Sequence, residues 1–309
     1  MTVLMIGDVV GEIGLRALEA GLPRLIAQYN ADFVIVNGEN AVEGYGITVS
    51  ALARISASGA DIVTSGNHVW EKNDIWEFLE RRTAYGMQIM RGEVSPLAPA
   101  PQHPRDLAKV VHDLIHAPAI LRPANYPAPA PGSGAGLLGK NGKRLLVINI
   151  QGREYMTAID CPFQTAVAII GANPGVPAVI DFHAESSAEK EALGFHLDGR
   201  ISVIAGTHTH VQTADAKILP GGTAYITDLG MTGPTDSVIG MDSEICLARA
   251  KTQVLYRMQC AKGPCAIQGV AVDIGENGRA RSISTIWFDT NVDDENADED
   301  KENGETASP

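Results

Sequence analysis

Positive charge and long apolar runs are both scarce in this sequence. Its 309 residues include 24 Lys and Arg against 37 Asp and Glu, which gives a net charge of −13. A protein that binds duplex DNA over a general surface needs a basic patch, so this balance argues against that class and counts modestly against an RNA scaffold. No run reaches the ~18 apolar residues of a membrane span. No basic, apolar leader precedes the first strand. We therefore expect a cytoplasmic protein with no membrane partner and no duplex DNA partner.

Cysteine is scarce as well. The four cysteines are Cys161, Cys246, Cys260 and Cys265, and they form no CxxC pair. Zinc sites and disulfide scaffolds use closely spaced cysteines, so we expect all four to be reduced and structural. Glycine, in contrast, is frequent at 32 residues, which suits many tight turns between strands and loops.

Apolar segments alternate with polar loops and helical patterns over the first 80 residues. The predicted strands are 2–6, 32–36 and 61–64, and the predicted helices are 15–29, 48–58 and 74–81. Later strands are predicted at 144–150, 178–182, 201–205, 223–227, 269–274 and 282–288, and later helices at 162–170 and 187–196. This strand–loop–helix order predicts βαβ units and a largely parallel sheet.

Three segments depart from this rhythm. Residues 83–119 are rich in Pro, Ala and His and are predicted to be an insertion, whose His103, His112 and His116 are either surface residues or part of a lid. Residues 132–136 are predicted to be a turn or flexible loop. Residues 289–309 carry nine Asp and Glu and one Lys, which predicts a disordered acidic tail. One domain is therefore expected over 1–288.

Polar side chains that can bind a metal follow five of the predicted strands. They are Asp8, Glu39, Asn40, Asn67, His68, His183, His208 and His210. Each one alone is more typical of a turn, a cap or a structural residue. Parallel strands, however, bring their carboxyl ends to one edge of a sheet, where α/β proteins build their sites. The set together predicts a metal centre.

The segment 206–210 (GTHTH) is the centre of this prediction. Gly206 is expected to break the strand at 201–205, so that His208 and His210 leave it as an open loop. Both imidazoles can then turn toward one point, and imidazole suits Zn, Fe, Mn and Ni.

The mixture of ligand types suits a pair of divalent cations. Two such ions ~3.5–4 Å apart need a bridging carboxylate, and Glu39 is long enough to reach both. Imidazoles and amide oxygens complete each shell without excess negative charge. The ions would lower the pKa of a bridging water, and His68, beside Asn67, is placed to protonate a leaving oxygen. These ligands admit Fe, Mn, Zn and Co alike.

Several segments carry a family resemblance. They are residues 7–11 (GDVVG), 37–40 (NGEN), 66–70 (GNHVW), 181–185 (DFHAE), 206–212 (GTHTHVQ), 121–127 (LRPANYP), 151–153 (QGR), 160–163 (DCPF) and 227–234 (TDLGMTGP). The chain resembles the calcineurin-like metallophosphoesterases and, more narrowly, the bacterial YmdB-type phosphodiesterases. The resemblance implies a four-layer αββα sandwich, a binuclear centre of Fe or Mn type, and hydrolysis of phosphodiesters, cyclic nucleotides among them, through a metal-bridging hydroxide.

The resemblance also implies a role for each ligand. The first metal would be held by Asp8, Glu39, Asn40 and His210. The second would be held by Glu39, Asn67, His183 and His208, with Glu39 bridging and His68 as general acid. The wider superfamily has a His where this chain has Val10 and a bridging Asp where it has Glu39. The narrower family shares both departures, and Asn40 is expected to fill the vacancy.

Some assignments stay open at this point. Arg122 and Arg153 either contact a substrate phosphate or form structural salt bridges. Asp228 either supports a ligating His or belongs to a turn. The preferred function is hydrolysis of a cyclic or small nucleotide diester, with the resemblance favouring a homo-oligomer. The alternatives are a phosphomonoesterase with the same centre, and a regulatory nucleotide- or RNA-binding protein with slow turnover.

Overall fold

The computed structural model describes residues 1–79 and 120–290. The whole predicted insertion at 83–119, with its three histidines, and the tail beyond 290 lie outside the described residues, so the insertion, the tail and the domain boundary at 288 stay predictions.

Two β-sheets form the frame of the described chain. In chain order the strands are β1 (Thr2–Ile6), β2 (Asp8–Val9), β3 (Phe33–Asn37), β4 (Ile62–Thr64), β5 (Ile120–Leu121), β6 (Ala135–Lys140), β7 (Lys143–Gln151), β8 (Ala178–His183), β9 (Val203–Thr207), β10 (Lys217–Ile218), β11 (Ala224–Ile226), β12 (Met231–Pro234), β13 (Cys265–Ile274) and β14 (Ala280–Thr290). The first sheet has the order β2-β12-β13-β1-β3-β4-β5, with β14 on β13. The second has the order β10-β11-β9-β8-β7-β6.

Helices accompany the strands. In chain order they are α1 (Gly11–Tyr29), α2 (Val49–Ala57), α3 (residues 73–79), α4 (Pro162–Ala172), α5 (Ser187–Leu197) and α6 (Ser243–Thr252). Thr48 caps α2, because its hydroxyl accepts a hydrogen bond from the Ala51 amide at 3.2 Å. A cap of this kind satisfies one of the amides that the first turn of a helix leaves unpaired.

Alternation along the strands explains the four layers. Val3 and Met5 of β1 face the second sheet, where they pack with Val147 and Val179. Leu4 and Ile6 face the other way and pack against α1, α2 and α3. The outer face of the second sheet packs against α4 and α5. Because side chains alternate along a strand, each inner strand serves two cores, and the predicted αββα sandwich is confirmed.

The sheets are parallel where the site is built. β1, β3, β4 and β5 are mutually parallel, as are β7, β8, β9 and β11. The hairpin between β6 and β7 turns at Asn141 and Gly142, whose φ angles of 51° and 75° are those of the tight turn that the Asn-Gly pair predicts.

The structure corrects three sequence expectations. Gly206 does not break its strand, because β9 continues through Gly206 to Thr207 and both residues pair with β8. The reason for a glycine there is space, since a Cβ at position 206 would overlap the Thr227 carbonyl oxygen. β6 begins at Ala135, inside the predicted loop, and β14 runs two residues into the predicted tail.

Candidate metal centre

All the predicted ligands follow strands that end at one edge of the two sheets. Glu39 and Asn67 come after β3 and β4 of the first sheet, and Asp8 begins the short strand β2. His183 is the last residue of β8, and His208 follows β9 in the second sheet. The first sheet therefore supplies the carboxylates, and the second supplies the imidazoles.

Three of these side chains form the core of the site. Asp8, Glu39 and His183 are fully buried, and one ligand atom of each lies within 4.8 Å of the others. Glu39 Oε2 lies 2.9 Å from His183 Nε2. Two buried carboxylates this close to one another need positive charge between them.

The tautomer of His183 is set by its neighbours. Its Nδ1 lies 2.9 Å from the hydroxyl oxygen of Thr207. That hydroxyl donates to Asp181 Oδ1 at 2.6 Å, so it accepts from Nδ1–H of His183. Thr64 and Asn37 donate to the other oxygen of Asp181. The chain Asp181–Thr207–His183 thus fixes the proton on Nδ1 and turns Nε2 toward Glu39, the orientation of a histidine that binds a metal.

His210 is oriented in a similar way. Its Nδ1 donates to the Ile239 carbonyl at 2.8 Å. Nε2 then faces Asp8 Oδ1 at 3.7 Å and the side-chain nitrogen of Asn40 at 2.9 Å. Asn40 therefore lies beside the predicted first metal position but presents its amide nitrogen there, and its role as a ligand stays a prediction.

His208 lies beside the second predicted position. Its Nδ1 is 3.0 Å from His183 Nε2, and its Nε2 is 3.1 Å from Glu185 Oε2. Its backbone amide donates to Asp8 Oδ2 at 3.2 Å. The loop after β9 thus contacts ligands from both sheets.

The backbone of this loop is strained. His208 and His210 have φ angles of 99° and 64°, in the left-handed region that side chains other than glycine rarely adopt. Thr209 between them is held by Asp228, whose Oδ2 accepts from the Thr209 amide and hydroxyl at 3.1 and 2.8 Å. The buried ammonium of Lys190 donates to the same oxygen at 2.7 Å. Asp228 therefore supports the residue between the two imidazoles and contacts neither of them.

The pKa values of the clustered side chains are shifted by burial and by the charges of their neighbours. Burial raises the pKa of Asp8 to about 6, only partly offset by His210. Burial alone would disfavour a charged His183, but Glu39 outweighs it and raises the pKa of His183 to about 9. Burial and the neighbouring His183 lower the pKa of His208 to about 3. Without a metal ion, a proton on His183 therefore supplies the positive charge beside Glu39, and a bound metal ion would take the place of that proton.

Two buried oxygens in this cluster accept no hydrogen bond. They are Glu39 Oε2 and Asn67 Oδ1. Buried polar atoms are almost always partnered, and a metal ion is one explanation when they are not. Space is also reserved here, because a Cβ on Gly66 would overlap Glu39 Oε2 and the His183 ring. Oxygen and imidazole donors of this kind fit divalent transition metals.

His68 lies at the entrance to the cluster. Its backbone amide donates to Glu39 Oε1 at 2.8 Å, which fixes its position relative to the centre. Its Nδ1 is 3.3 Å from Glu71 Oε1, and its ring meets Tyr45 edge to face at 5.3 Å. The side chain is 27% exposed, so a substrate can reach it.

The two predicted phosphate contacts have other partners in the structure. The Arg122 guanidinium is buried and donates to the carbonyls of Pro123, Ala130 and Pro131 at 2.8–3.2 Å. Arg153 is exposed, with a contact of 3.6 Å to the Cys161 sulfur. Neither forms the predicted alternative, a salt bridge, with another described residue, and a role in phosphate binding stays a prediction for both.

A cleft of about 780 Å³ opens above the centre. Its lining includes Asn40, His68, Glu185, His208 and His210 of the centre. Residues of α6 and of the segment 253–258 also line it. Its volume is within the range of about 300–1,000 Å³ that is usual for a small-molecule site.

Sequence reasoning missed the residues that orient the ligands. Thr207 contacts His183, Glu185 contacts His208, and Asp181 holds Thr207, yet each is an ordinary residue type in its own segment. One signal was available for Asp181, because residues two apart on a strand share a face, which puts Asp181 beside His183. The partner in β9 could not be read without knowing that β8 and β9 are neighbours.

Two sheets between helical layers, with a buried Asp, Glu and His cluster at the strand ends, define a calcineurin-like metallophosphoesterase. The family model described as YmdB-like protein matches residues 4–91 and 103–286. The chain therefore belongs to the YmdB-like family, as its motifs predict.

Three relatives illustrate the similarity. A 2′,3′-cyclic-nucleotide 2′-phosphodiesterase of Bacillus subtilis is 41% identical over 278 residues, which cover 89% of this chain and 92% of the relative. A crystal structure of a hypothetical protein from Thermus thermophilus is 34% identical, with a TM-score of 0.77 over 94% of this chain and 99% of that one. A phosphatase from Mycoplasma pneumoniae is 26% identical, with a TM-score of 0.75 over 94% of this chain and 93% of that one.

Proposed function

We propose that this protein is a metal-dependent phosphodiesterase that hydrolyses cyclic or small nucleotide diesters. The observation that carries the proposal is the set of unpaired donor atoms at the centre. Asn67 Oδ1 and Glu39 Oε2 are buried without a hydrogen bond, and Glu39 Oε2 lies 2.9 Å from His183 Nε2, a nitrogen that can bind a metal. Such a set is costly to bury unless it binds a cation.

The same residues divide into two ligand sets. Asp8, Asn40 and His210 would hold one divalent ion, and Asn67, His183 and His208 would hold a second, with Glu39 shared. Fe and Mn are the preferred metals, with Zn also compatible with these donors. When bound, such ions neutralise the charge of a phosphate and make water a nucleophile at neutral pH.

His68 supplies the proton that the reaction requires. In hydrolysis of a diester, water adds its oxygen to phosphorus, one P–O bond breaks, and the departing oxygen takes up a proton. His68 lines the cleft, and Glu39 holds its backbone amide beside the centre. Glu71 occupies Nδ1 at 3.3 Å, which leaves Nε2 for the transfer.

The curated relative suggests the substrate. The Bacillus subtilis protein is named for the 2′-ester of a 2′,3′-cyclic nucleotide. In such a substrate the departing oxygen is O2′, and the product keeps a 3′-phosphate. The cleft has room for a nucleoside beside the phosphate, and Tyr45 at its wall offers an aromatic face to a base.

Two further sequence predictions, on location and oligomeric state, stand beside this proposal. The described residues include no helix that is long and apolar enough to cross a membrane. A cytoplasmic location and a homo-oligomeric state stay predictions. A phosphomonoesterase with the same centre and a slow regulatory binder are the functional alternatives.

Hydrolysis of a small panel tests the proposal. The protein is loaded with Mn or Fe, and its metal content is measured. The substrates are 2′,3′-cyclic AMP, 3′,5′-cyclic AMP, a bis-aryl phosphate diester and an aryl phosphate monoester. We expect cleavage of the diesters. His68→Ala is expected to lower kcat by about a hundredfold or more with metal content unchanged, because general acids contribute about 10²–10⁴-fold.

Other outcomes contradict parts of the proposal. Cleavage of the monoester alone would establish the phosphomonoesterase. An unchanged rate in His68→Ala would remove the proposed acid but leave the reaction class. No turnover at full metal occupancy would overturn the enzymatic function and leave the binding role.

A further inference from the structure

One wall of the cleft is formed by a segment with unusual charge. We call residues 245–258, which form most of α6 and the chain after it, the basic arm. The basic arm contains Arg249, Lys251 and Arg257, and no Asp or Glu occurs from 245 to 272. In a chain with a net charge of −13, this stretch is a local exception to the acidic balance.

The basic arm lies outside the layers of the fold. No residue of α6 is buried, and residues 249–257 are all exposed. Leu255 is 80% exposed and Tyr256 is 44% exposed. The side chains of the three basic residues form no hydrogen bond or ion pair with any described residue. Exposed apolar and aromatic side chains next to free cations are typical of a binding surface.

The base of the basic arm is fixed. Met241 and Cys260 pair across it, and the Asp242 amide donates to the Gln259 carbonyl at 2.9 Å. Asp242 also caps α6, accepting from the Ile245 amide at 2.9 Å. Both ends of the basic arm are therefore held by hydrogen bonds within the domain, and these contacts set the direction in which the arm leaves the fold.

The basic arm shares the cleft with the candidate metal centre. Arg249, Gln253, Leu255 and Met258 line the same cleft as His68. A ligand that places its phosphate at the centre, and that continues beyond one nucleoside, therefore meets the basic arm. The three cations lie within nine residues of chain, and a guanidinium or ammonium binds phosphate oxygens well.

We propose that the basic arm binds the backbone of a single-stranded oligoribonucleotide that ends in a 2′,3′-cyclic phosphate. This inference rests on the proposed function and extends its substrate from a mononucleotide to an RNA end. Arg249 binds the phosphate next to the reacting one, Lys251 and Arg257 bind further phosphates, and Tyr256 stacks on a base. The reaction is unchanged, since water adds to phosphorus and the P–O2′ bond breaks.

Paired substrates test the inference. Steady-state constants are measured for adenosine 2′,3′-cyclic phosphate and for a hexaribonucleotide with a 2′,3′-cyclic end. The proteins are wild type, Lys251→Ala/Arg257→Ala, and Arg144→Ala/Arg200→Ala. The last variant loses the same charge from exposed residues near the amino ends of β7 and β9, at the opposite edge of the second sheet. Circular dichroism and thermal unfolding check that both variants fold.

The expected result concerns the hexaribonucleotide. The wild-type protein has a lower KM for the hexaribonucleotide than for the mononucleotide. The variant Lys251→Ala/Arg257→Ala, called the arm variant, raises the hexaribonucleotide KM roughly tenfold, because two exposed charge contacts are lost. The slope of log KM against log salt falls by about 1.4, because each phosphate contact on a single strand contributes about 0.7. Lys251 and Arg257 do not line the cleft, so we expect the constants of the arm variant for the mononucleotide to stay within about twofold of the wild-type values. The control variant Arg144→Ala/Arg200→Ala is expected to match wild type with both substrates.

Three outcomes would overturn it. In one, wild type shows equal KM for the two substrates. In another, the arm variant leaves the hexaribonucleotide KM unchanged. In the third, light scattering shows that the arm variant dissociates an oligomer, which makes the basic arm an interface with a second copy.

A failure of the proposed hydrolysis can be distinguished from a failure of the proposed RNA binding. If wild type hydrolyses neither substrate, anisotropy with a labelled hexaribonucleotide 3′-phosphate decides. Binding that weakens roughly tenfold in the arm variant supports the inference, and unchanged binding overturns it.

Discussion

Gly66 lies at the point where the first sheet's loop meets the second sheet's imidazole. The neighbouring atoms leave no room for even one methyl group, because the Cβ of any other residue would overlap Glu39 Oε2 and the ring of His183. A glycine is therefore required at this position by space rather than by backbone conformation. Its neighbours Asn67 and His68 depend on the same close approach.

We predict that Gly66→Ala removes metal binding while the fold persists. The carboxylate and the imidazole must shift apart, and a shift of about 1 Å in a catalytic group costs about a hundredfold in rate. Metal content by elemental analysis and the hydrolysis rate are the measurements. Gly171→Ala is the matched control, since a Cβ there has no atom within 4 Å. Equal metal content in the two variants would contradict this account of the site.

The residue types of the candidate ligands could be predicted from the sequence, but the residues that orient those ligands could not. Asp, Glu, Asn and His after apolar strands are visible in the sequence because a metal site restricts residue type. Thr207 and Asp181 orient His183 through a hydroxyl bridge that depends on the pairing of β8 with β9. Pairing of strands far apart in the chain is a tertiary property that residue type does not encode.

At the scale of elements, α5 supports the loop that carries two histidines. Lys190 of this helix is 1% exposed, and its ammonium donates to Asp228 at 2.7 Å and to the Thr207 carbonyl at 2.8 Å. The helix thus ties the end of β9 to the strained residues that follow. The left-handed φ angles of His208 and His210 cost free energy that such contacts must offset.

Lys190→Met is expected to lower the free energy of unfolding by about 3–5 kcal/mol, because it leaves the buried Asp228 carboxylate without its cation. Urea unfolding with an unchanged m-value measures the loss. Lys140→Met serves as the control, since its 3.3 Å pair with Asp61 is exposed and such pairs contribute about 0–1 kcal/mol. Similar losses in both variants would show that the buried pair has no special role.

The elements that the sequence predicted and those that it missed differ in their patterns. The parallel strands β1, β3, β4, β8 and β9 are apolar runs between polar loops, and each was predicted to within two residues at either end. Helix α6 was missed because it buries no residue, so no apolar stripe at helical spacing exists in its sequence. Strands β5 and β10 have two residues each, too few for an alternating pattern.

The whole molecule brings two sheets together at one charged point. The carboxylates of the candidate centre come from residues before position 40, and its imidazoles from the second sheet come from residues after 180. A cation at the centre therefore links the two sheets, and its binding free energy adds to the stability of the assembled sandwich.

We predict that Mn at 100 times its Kd stabilises the protein by about 2.7 kcal/mol. The midpoint of thermal unfolding should rise by several degrees relative to protein treated with a chelator. Glu39→Gln should lose the increment, since the shared carboxylate is gone. Differential scanning calorimetry at matched pH is the measurement. A midpoint that does not respond to metal in wild type would contradict the proposed centre.

The position of β13 has a consequence for synthesis of the chain. This strand pairs with β14 along its whole length, and its other edge pairs with β12 over its first residues and then with β1, where Thr2 lies opposite Asp273. When the first 210 residues have been synthesised, every predicted ligand is present in the nascent chain. Strand β1, however, still lacks its pairing partner β13 on one side. Until β13 emerges, the nascent chain carries an open strand edge, which is the kind of surface that pairs with other chains. A protein chain truncated before residue 265 would therefore aggregate rather than fold into a smaller active enzyme.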